Sequence, residues 1–503
     1  MKKIIQLFKQ RQKRDVDKTC SSSVKYNEQL ILDKEQLQQY AARYDGKLLL
    51  EEEFYLPTSL FTLLVGEKII TPTPSITASF FTTTCKRCHQ SEPQYFATIH
   101  CARCEKPHLY CRSCIRMGRV MECTPLYEWT GPPMNWPVHR DPCSWQGELT
   151  KAQQHAANRM VKTFEARCSL LIWAVTGSGK TEMLFPTITA ALETGKRICI
   201  ASPRADVVRE LVPRLQAAFS SIPIQGLYGG SRDNDGTAQL LVSTTHQLLR
   251  FKHAFDLLII DEVDAFPYHQ DLTLQFAASR ARKEESSLVY LTATPRKIQR
   301  QQMAMNQLDY VFVPSRFHGH LLPVPKFIYC AKLQERLVSD ELPKEFIHWL
   351  HTRKKPSRQL LVFASTITLA NKLTEVLQTL FQHDYALHQL QYNITSVHAG
   401  DEKREEKVAA FRRHDYHVLI TTTILERGVT FPSVDVAVLD ASHDVFDEAA
   451  LVQISGRAGR SQADPTGEVV FFHDGKTNSM VKAQADIMKM NRRAREMIVG
   501  EDE

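Results

Sequence analysis

No run of apolar residues in this 503-residue chain is long enough to cross a bilayer. The longest near a motif, SLLIWAV at 169–175, is about a third of the ~20 residues that a spanning helix needs. A transmembrane protein is therefore not expected. Charge of one sign is also in short supply: 63 Lys and Arg face 56 Asp and Glu, a net +7 and a pI near 8.7. That mild excess permits a nucleic-acid partner without demonstrating one. The opening MKKIIQLFKQRQKRDVDK is basic, but its only apolar patch is IIQLF and no small-residue cleavage site follows. No secretory signal is read there, and a reducing, cytoplasmic setting is expected. Neither a short-period repeat nor a low-complexity tract is present, so a solenoid is not expected. What remains is ordinary globular composition, 43% hydrophobic and 24% charged. The length is too great for one core and suits two large domains with a smaller one.

Cysteine is unevenly spread. Residues 85–114, CKRCHQSEPQYFATIHCARCEKPHLYCRSC, hold three Cys-x-x-Cys pairs. In a reducing compartment such pairs bind metal, and four thiolates complete the tetrahedral shell of a structural zinc. Six sulfurs exceed one ion's need. Cys85 and Cys88 with Cys101 and Cys104 have a ribbon-like gap; Cys85 and Cys88 can equally pair with Cys111 and Cys114. A second ion would need two ligands beside the leftover pair, from His89, His100, His108 and Cys123, although each histidine also reads as a solvated side chain. Nearby Lys86, Arg87, Tyr95, Phe96, Arg103, Tyr110 and Arg112 offer charge and stacking to a single strand; the alternative is a structural brace or a protein-docking face.

The chain is expected to divide at 1–80, a segment of unreadable role; 81–125, a zinc module; 126–147, a Pro- and Trp-rich connector; 148–315 and 346–503, two α/β domains; and 316–345, a linker. From 148 onward SLLIWAV, RICIAS, LLVST, DLLIID and SLVYLTA alternate with amphipathic helices. QLLVFAS, ITSVHAG, HVLITTT, VDVAVLD and EVVFFHD repeat the alternation. Continuous apolar strands of this kind belong to parallel sheets covered on both faces. The final KTNSMVKAQADIMKMNRRAREMIVG is helical by period and expected to close the second domain.

Chemistry concentrates after SLLIWAV. In AVTGSGKT, Gly177 and Gly179 let backbone amides approach phosphates, Lys180 supplies a cation and Thr181 a magnesium ligand. Ala174 stands where the usual pattern has glycine; Thr176 and Ser178 complete the loop. FDLLIIDEVDAFP adds Asp261 for the metal and Glu262 for the attacking water. Gln153 in GELTKAQQHA is placed to read an adenine edge. QISGRAGR holds Arg457 and Arg460, three apart on one helical face, which can put positive charge on phosphoryl oxygens across an interdomain cleft.

From 148 to 503 the chain resembles the superfamily 2 helicases: AVTGSGKT, ASPRADV, STTHQLL, DEVD, TAT, LVFAS, TTTILERGVT and QISGRAGR stand in that order. The resemblance implies two RecA-like domains clamping ATP, with nucleic acid crossing their top. Thr292 and Thr294 would couple the two events, and Pro203, Arg204, Thr244, Thr245, Thr423 and Arg427 would contact backbone or couple. Pro186 inside a helix has counterparts there too. DEVD differs from DEAD and DEAH, and the HRIGR form is missing, which argues against DEAD-box RNA unwinding.

Cysteines upstream of the motor, then CRSCIRMGRV, DEVDAFPY, RFHG and TTTILERGVTFPSVDV, resemble the ComFA family of competence ATPases. This implies an ATP-driven single-stranded DNA translocase with ATP, Mg2+ and Zn2+ as cofactors, peripheral to the inner face of the cell membrane. It also implies a ComFC-like phosphoribosyltransferase-like protein, a DprA-like protein and the ComEC channel as partners. Zinc would sit on Cys85, Cys88, Cys111 and Cys114, with Cys101 and Cys104 a possible second pair of unassigned role. Two other readings stay open: a duplex-unwinding helicase of repair or replication restart, and a non-catalytic nucleotide switch. The second is disfavoured by the complete set of motor residues.

Overall fold

A computed structural model describes residues 34–79, 82–231, 235–384, 387 and 392–499. The basic opening stretch lies outside the described residues. Among the described residues the N-terminal unit contains seven short strands: β1 (Leu48–Leu49), β2 (Ile70–Thr73), β3 (Ile76–Ala78), β4 (Thr83–Cys85), β5 (Phe96–His100), β6 (Pro107–Cys111) and β7 (Leu126–Trp129). β1, β7 and β2 form an antiparallel sheet in that order, while β3–β4 and β5–β6 are separate antiparallel pairs. Tyr44, Phe54, Phe61, Leu64, Ile70 and Trp129 pack into its core.

Boundaries at 80 and 125 therefore do not divide the fold. β7, assigned to the connector by sequence, is the central strand joining β1 and β2. A two-residue β1 and a β2 of sequence ITPT carry no detectable period, which is why the sheet escaped notice.

The first motor domain holds β8 (Ser169–Ala174), β9 (Ile198–Ser202), β10 (Ile224–Leu227), β11 (Leu240–Thr244), β12 (Phe255–Asp261), β13 (Arg282–Thr292) and β14 (Asp309–Val313). Their order is β10-β11-β9-β12-β13-β8-β14, every neighbouring pair parallel. The second holds β15 (Lys326–Tyr329), β16 (Gln359–Phe363), β17 (Ile394–Val397), β18 (Val418–Thr421), β19 (Val434–Leu439) and β20 (Val469–His473), ordered β15-β20-β19-β16-β18-β17 and again parallel. Each apolar run named above is a strand. The strands of the sheet interiors, such as β9, β12, β16 and β19, are buried along their length, as continuous apolar runs require.

The three motor strands that the sequence did not disclose, β10, β14 and β15, all lie at sheet edges and are partly exposed. β15 also moves the start of the second domain to Lys326, inside the expected linker. The helix Asn478–Val499 does close that domain: Met480, Ala483, Ile487 and Met490 join its core. It also reaches back to the first domain, where the Arg493 guanidinium lies 3.5 Å from the Phe312 ring centre.

Candidate functional site

β8, β12 and β13 lie side by side in register, Asp261 opposite Leu291 and Thr292 opposite Trp173. Their carboxyl ends thus bring the phosphate loop, Asp261 and the TAT segment to one rim of the sheet, where parallel α/β folds bind ligands. Gly177 (φ 79°) and Gly179 (φ 73°) take the left-handed backbone that glycine tolerates. The helix Lys180–Glu193 starts at once, so its free amides and dipole face the same space. Pro186 lies within this helix.

Gln153 is already engaged at both ends. Its Oε1 accepts from Thr150 N at 2.7 Å and its Nε2 donates to Ser178 O at 2.8 Å. The amide expected to read adenine thus caps its own helix and braces the phosphate loop.

Asp261 is buried, which pushes its carboxyl up to about 6; Lys180 opposes the shift and Glu262 adds to it. Glu262 follows with φ 55°, an uncommon conformation for a residue with a side chain. Opposite stand Arg457 and Arg460. The helix Glu448–Ser455 ends before them, so they occupy the following turn and not the helical face that the sequence suggested. The turn still aims both into the cleft: Arg457 Nε donates to Glu426 O at 2.9 Å and Arg460 Nη1 to Thr430 Oγ1 at 3.1 Å. Burial, with Arg460 and Arg204 nearby, holds Arg457 well below the ordinary arginine value. The cleft encloses about 600 Å³ between Lys180, Thr181, Asp261 and Glu262 on one side and Gln453, Arg457 and Arg460 on the other, a volume suited to a nucleotide.

The domains meet tightly here. A Cβ at Gly456 would lie 1.8 Å from Thr176 Oγ1. Arg316, buried in the expected linker, donates from Nη2 to Ala458 O at 2.8 Å and from Nη1 to Gly459 O, while Phe317 N donates to Gly177 O at 3.0 Å. Residues 316 and 317 thereby tie the arginine turn to the phosphate loop. The sequence does not single out Arg316, although it lies in the RFHG motif.

Asp264, the last residue of DEVD, was missed as well. It is fully buried and accepts from Thr292 Oγ1 at 2.6 Å, from Thr294 Oγ1, and from Arg427 Nη2 of the second domain. Burial alone would raise its carboxyl, but Arg427 and the two hydroxyls outweigh it and hold Asp264 well below the usual range. Arg204 crosses the same interface, donating from Nη2 to Ile424 O at 2.7 Å. Of the residues expected to contact nucleic acid or couple, Arg204, Thr292, Thr294 and Arg427 therefore build the interdomain contact. Pro203, Thr244 and Thr245 are buried, and Thr423 is half-buried.

A magnesium nucleotide fits these residues. Thr176 Oγ1, Ser178 Oγ, Glu262 Oε2, Gln453 Nε2 and Arg457 Nη1 are buried without a hydrogen-bond partner among the described residues, the unmet polar groups that a ligand satisfies.

In the N-terminal unit, Cys85, Cys88, Cys111 and Cys114 are all buried with their sulfurs within 4.8 Å of one another. Cys88 and Cys111 are 3.5 Å apart, Cys85 and Cys114 3.8 Å. Thiolates 2.3 Å from a tetrahedral ion stand about 3.8 Å apart, so the donor set is compatible with zinc. Cys101 and Cys104 lie at the other end of the β5–β6 pair. Arg87, one of the residues expected to guide a strand, is fully buried: it pairs with Glu53 at 2.8 Å and donates to Met117 O at 2.8 Å. Arg280 of the motor donates to Lys86 O at 3.1 Å and Leu249 O at 2.7 Å. Arg87 is thus part of a brace onto the motor.

Residues 146–297 match the family model of the type III restriction enzyme res subunit, and 340–462 that of the helicase conserved C-terminal domain. Residues 32–128 match the competence protein ComFA N-terminal domain. Competence protein ComFA of Bacillus subtilis (strain 168) is 46% identical over 81% of this chain and 85% of its own length. The chain belongs to the ComFA family. ComFA of Streptococcus pneumoniae (strain ATCC BAA-255 / R6) is 39% identical, over 79% of this chain and 91% of its own. A transcription-repair-coupling factor of Staphylococcus epidermidis is 26% identical over 65% of this chain but only 27% of its own, so the likeness is to a fraction of that protein. This ComFA-family chain is a nucleic-acid-dependent ATPase of the superfamily 2 helicase type. Among the described residues, no helix is long and apolar enough to cross a membrane.

Proposed function

We propose that this ATPase translocates along single-stranded DNA and powers uptake of transforming DNA in natural competence. The observation that carries the reading is the cleft in which Lys180, Asp261 and Glu262 of one domain face Arg457 and Arg460 of the other, in a chain so similar to ComFA proteins. Loop amides and Lys180 hold the phosphates, and Glu262 orients the attacking water. Thr181 and Asp261 would hold magnesium, which would supply positive charge to the bound phosphates. Arg457 and Arg460 meet the transferring phosphoryl group only when the domains are together. The Asp264–Arg427 pair joins that closure to Thr292 and Thr294, the segment through which the strand would be sensed. Zinc on Cys85, Cys88, Cys111 and Cys114 would hold the N-terminal unit. A ComFC-like protein, a DprA-like protein and the ComEC channel are the proposed partners, at the inner face of the membrane.

The test is ATP hydrolysis by the full chain alone and with single-stranded DNA, duplex DNA or RNA. Single-stranded DNA should stimulate most; Lys180→Ala should abolish turnover, and Glu262→Gln should bind ATP yet turn it over slowly. Equal stimulation by RNA or duplex would overturn the substrate assignment.

A further inference from the structure

The two cysteines left over from the first centre are not alone. Cys101, Cys104 and Cys123 form a second group, their sulfurs within 4.8 Å of one another. The fold assembles it in three steps. β5 ends at His100 and delivers Cys101; a tight turn returns through Cys104 into β6. Downstream, Tyr110 bridges Met121 in antiparallel fashion, and Glu122 N donates to Leu109 O at 2.9 Å. That pairing brings Cys123 alongside the turn. His108, on β6, points Nε2 at Cys104 Sγ, 3.1 Å away, while its Nδ1 faces the Glu122 carboxylate at 3.6 Å; it borders the three-sulfur group at Cys104 without belonging to it, and a turn of its ring would bring Nε2 to an ion held there.

The turn at Cys101–Cys104 has the backbone of the turn at Cys85–Cys88. In the first centre, His89 N donates to Cys85 O at 2.8 Å and Cys85 N to Gln90 O at 3.0 Å, with His89 left-handed at φ 62°. In the second, Glu105 N donates to Cys101 O at 2.9 Å and Cys101 N to Lys106 O at 2.9 Å, with Glu105 left-handed at φ 55°. Both bonds and the left-handed residue recur at the same offset. Such a turn leaves amides free to face sulfur and places two thiols side by side. Residues 102–107 are exposed, so apolar packing does not hold this tip of the hairpin, and a metal substitutes for a core where none can form.

We infer that Cys101, Cys104 and Cys123 bind a second zinc ion with His108 as the fourth ligand. Three sulfurs and one imidazole are a common structural zinc set, and Glu122 on the far ring nitrogen is the carboxylate that orients a metal-bound histidine. The β5–β6 hairpin then carries an ion at each end: Cys111, opposite Phe96, closes one centre, and Cys101, five residues along from Phe96 or roughly 16 Å of strand, closes the other.

Metal content of the full chain, purified under reducing conditions and measured by elemental analysis, tests this. The expected result is two zinc ions per chain. Cys104→Ser and Cys123→Ser should each lower that to one, and His108→Ala should make one of the two ions removable by a mild chelator. Cobalt substitution gives a second readout that needs no loss of fold. In the wild type the visible bands should be the sum of a four-sulfur and a three-sulfur, one-nitrogen site. His108→Cys should keep two ions and convert the second set to the four-sulfur form. One zinc per chain in the wild type, or bands untouched by His108→Cys, would each overturn the assignment.

Discussion

Replacing Arg427 with alanine should uncouple hydrolysis from nucleic acid without dismantling either domain. Arg427 and Asp264 are 1% and 0% exposed at their side chains, and the pair joins the two domains. Removing one partner of a buried pair costs about 3–5 kcal/mol, because the remaining charge is left without its partner. Here that cost falls on the closed arrangement, since separated domains hydrate Asp264. At 1.4 kcal/mol per decade, the closed-to-open ratio should fall roughly 10²- to 10⁴-fold. Only the closed form sets Arg457 and Arg460 opposite Lys180 and Glu262, so turnover stimulated by single-stranded DNA should fall at least tenfold. The assay is steady-state ATP hydrolysis across a DNA titration for Arg427→Ala, Asp264→Ala and the double variant. Removing both charges leaves neither one stranded, so the double variant should be less impaired than the product of the single effects. Wild-type stimulated turnover in Arg427→Ala, or single effects that simply multiply, would refute the reasoning.

Gly456→Ala should cut ATP hydrolysis more than tenfold because its Cβ would lie 1.8 Å from Thr176 Oγ1, whereas Gly475→Ala, with nothing within 4 Å, should match the wild type in the same assay. Arg87→Ala should destabilise the N-terminal unit by about 3 kcal/mol, as the loss of a buried pair implies, visible as a lowered denaturation midpoint. Arg103→Ala, whose pairs with Glu51 and Glu52 are exposed, should leave that midpoint within the scatter of surface substitutions. Affinity for single-stranded DNA should fall steeply between low and moderate salt as phosphate contacts release counterions; a flat response would argue against backbone tracking.

Most of the motor was legible because burial on both faces forces strands to be continuously apolar, and SLLIWAV or DLLIID can be little else. β10, β14 and β15 were not, because an edge strand pays no such compositional tax and IQGL or KFIY resembles loop. Asp261 and Glu262 were readable from their place after a strand. Asp264 was not, since its partners Thr292, Thr294 and Arg427 are distant in sequence and converge only when both sheets are built. Arg316 illustrates the same limit: an isolated arginine in a hinge gives no sign that three carbonyls of the second domain will surround it. Among the cysteines, spacing permitted two quartets, and only the β5–β6 pairing, which separates Cys101 from Cys111 by the hairpin's length, selects one.

The position of the cysteine centre bears on what the N-terminal unit can do. Cys85, Cys88, Cys111 and Cys114 share one continuous core with Leu241, Leu248, Leu249 and Ile260 of the first motor domain, and Arg280 fastens the turn at Lys86 from the motor side. A module joined through apolar packing cannot swing as a tethered clamp without exposing that core, so it moves with the first domain through the ATP cycle. The second domain meets the first through the ion pairs Arg427–Asp264, Arg296–Asp447 and Arg300–Glu448 and also through an apolar seam, in which Leu171, Trp173, Met303 and Leu308 of the first domain join Met480, Ile487 and Met490 of the second. Charged contacts separate into water more cheaply than apolar ones, so the apolar seam, and not the ion pairs, sets most of the resistance to parting the two motor domains. Under the proposed function, any strand guided by the exposed Lys86, Tyr95 or Arg112 would then keep a fixed register with the first domain.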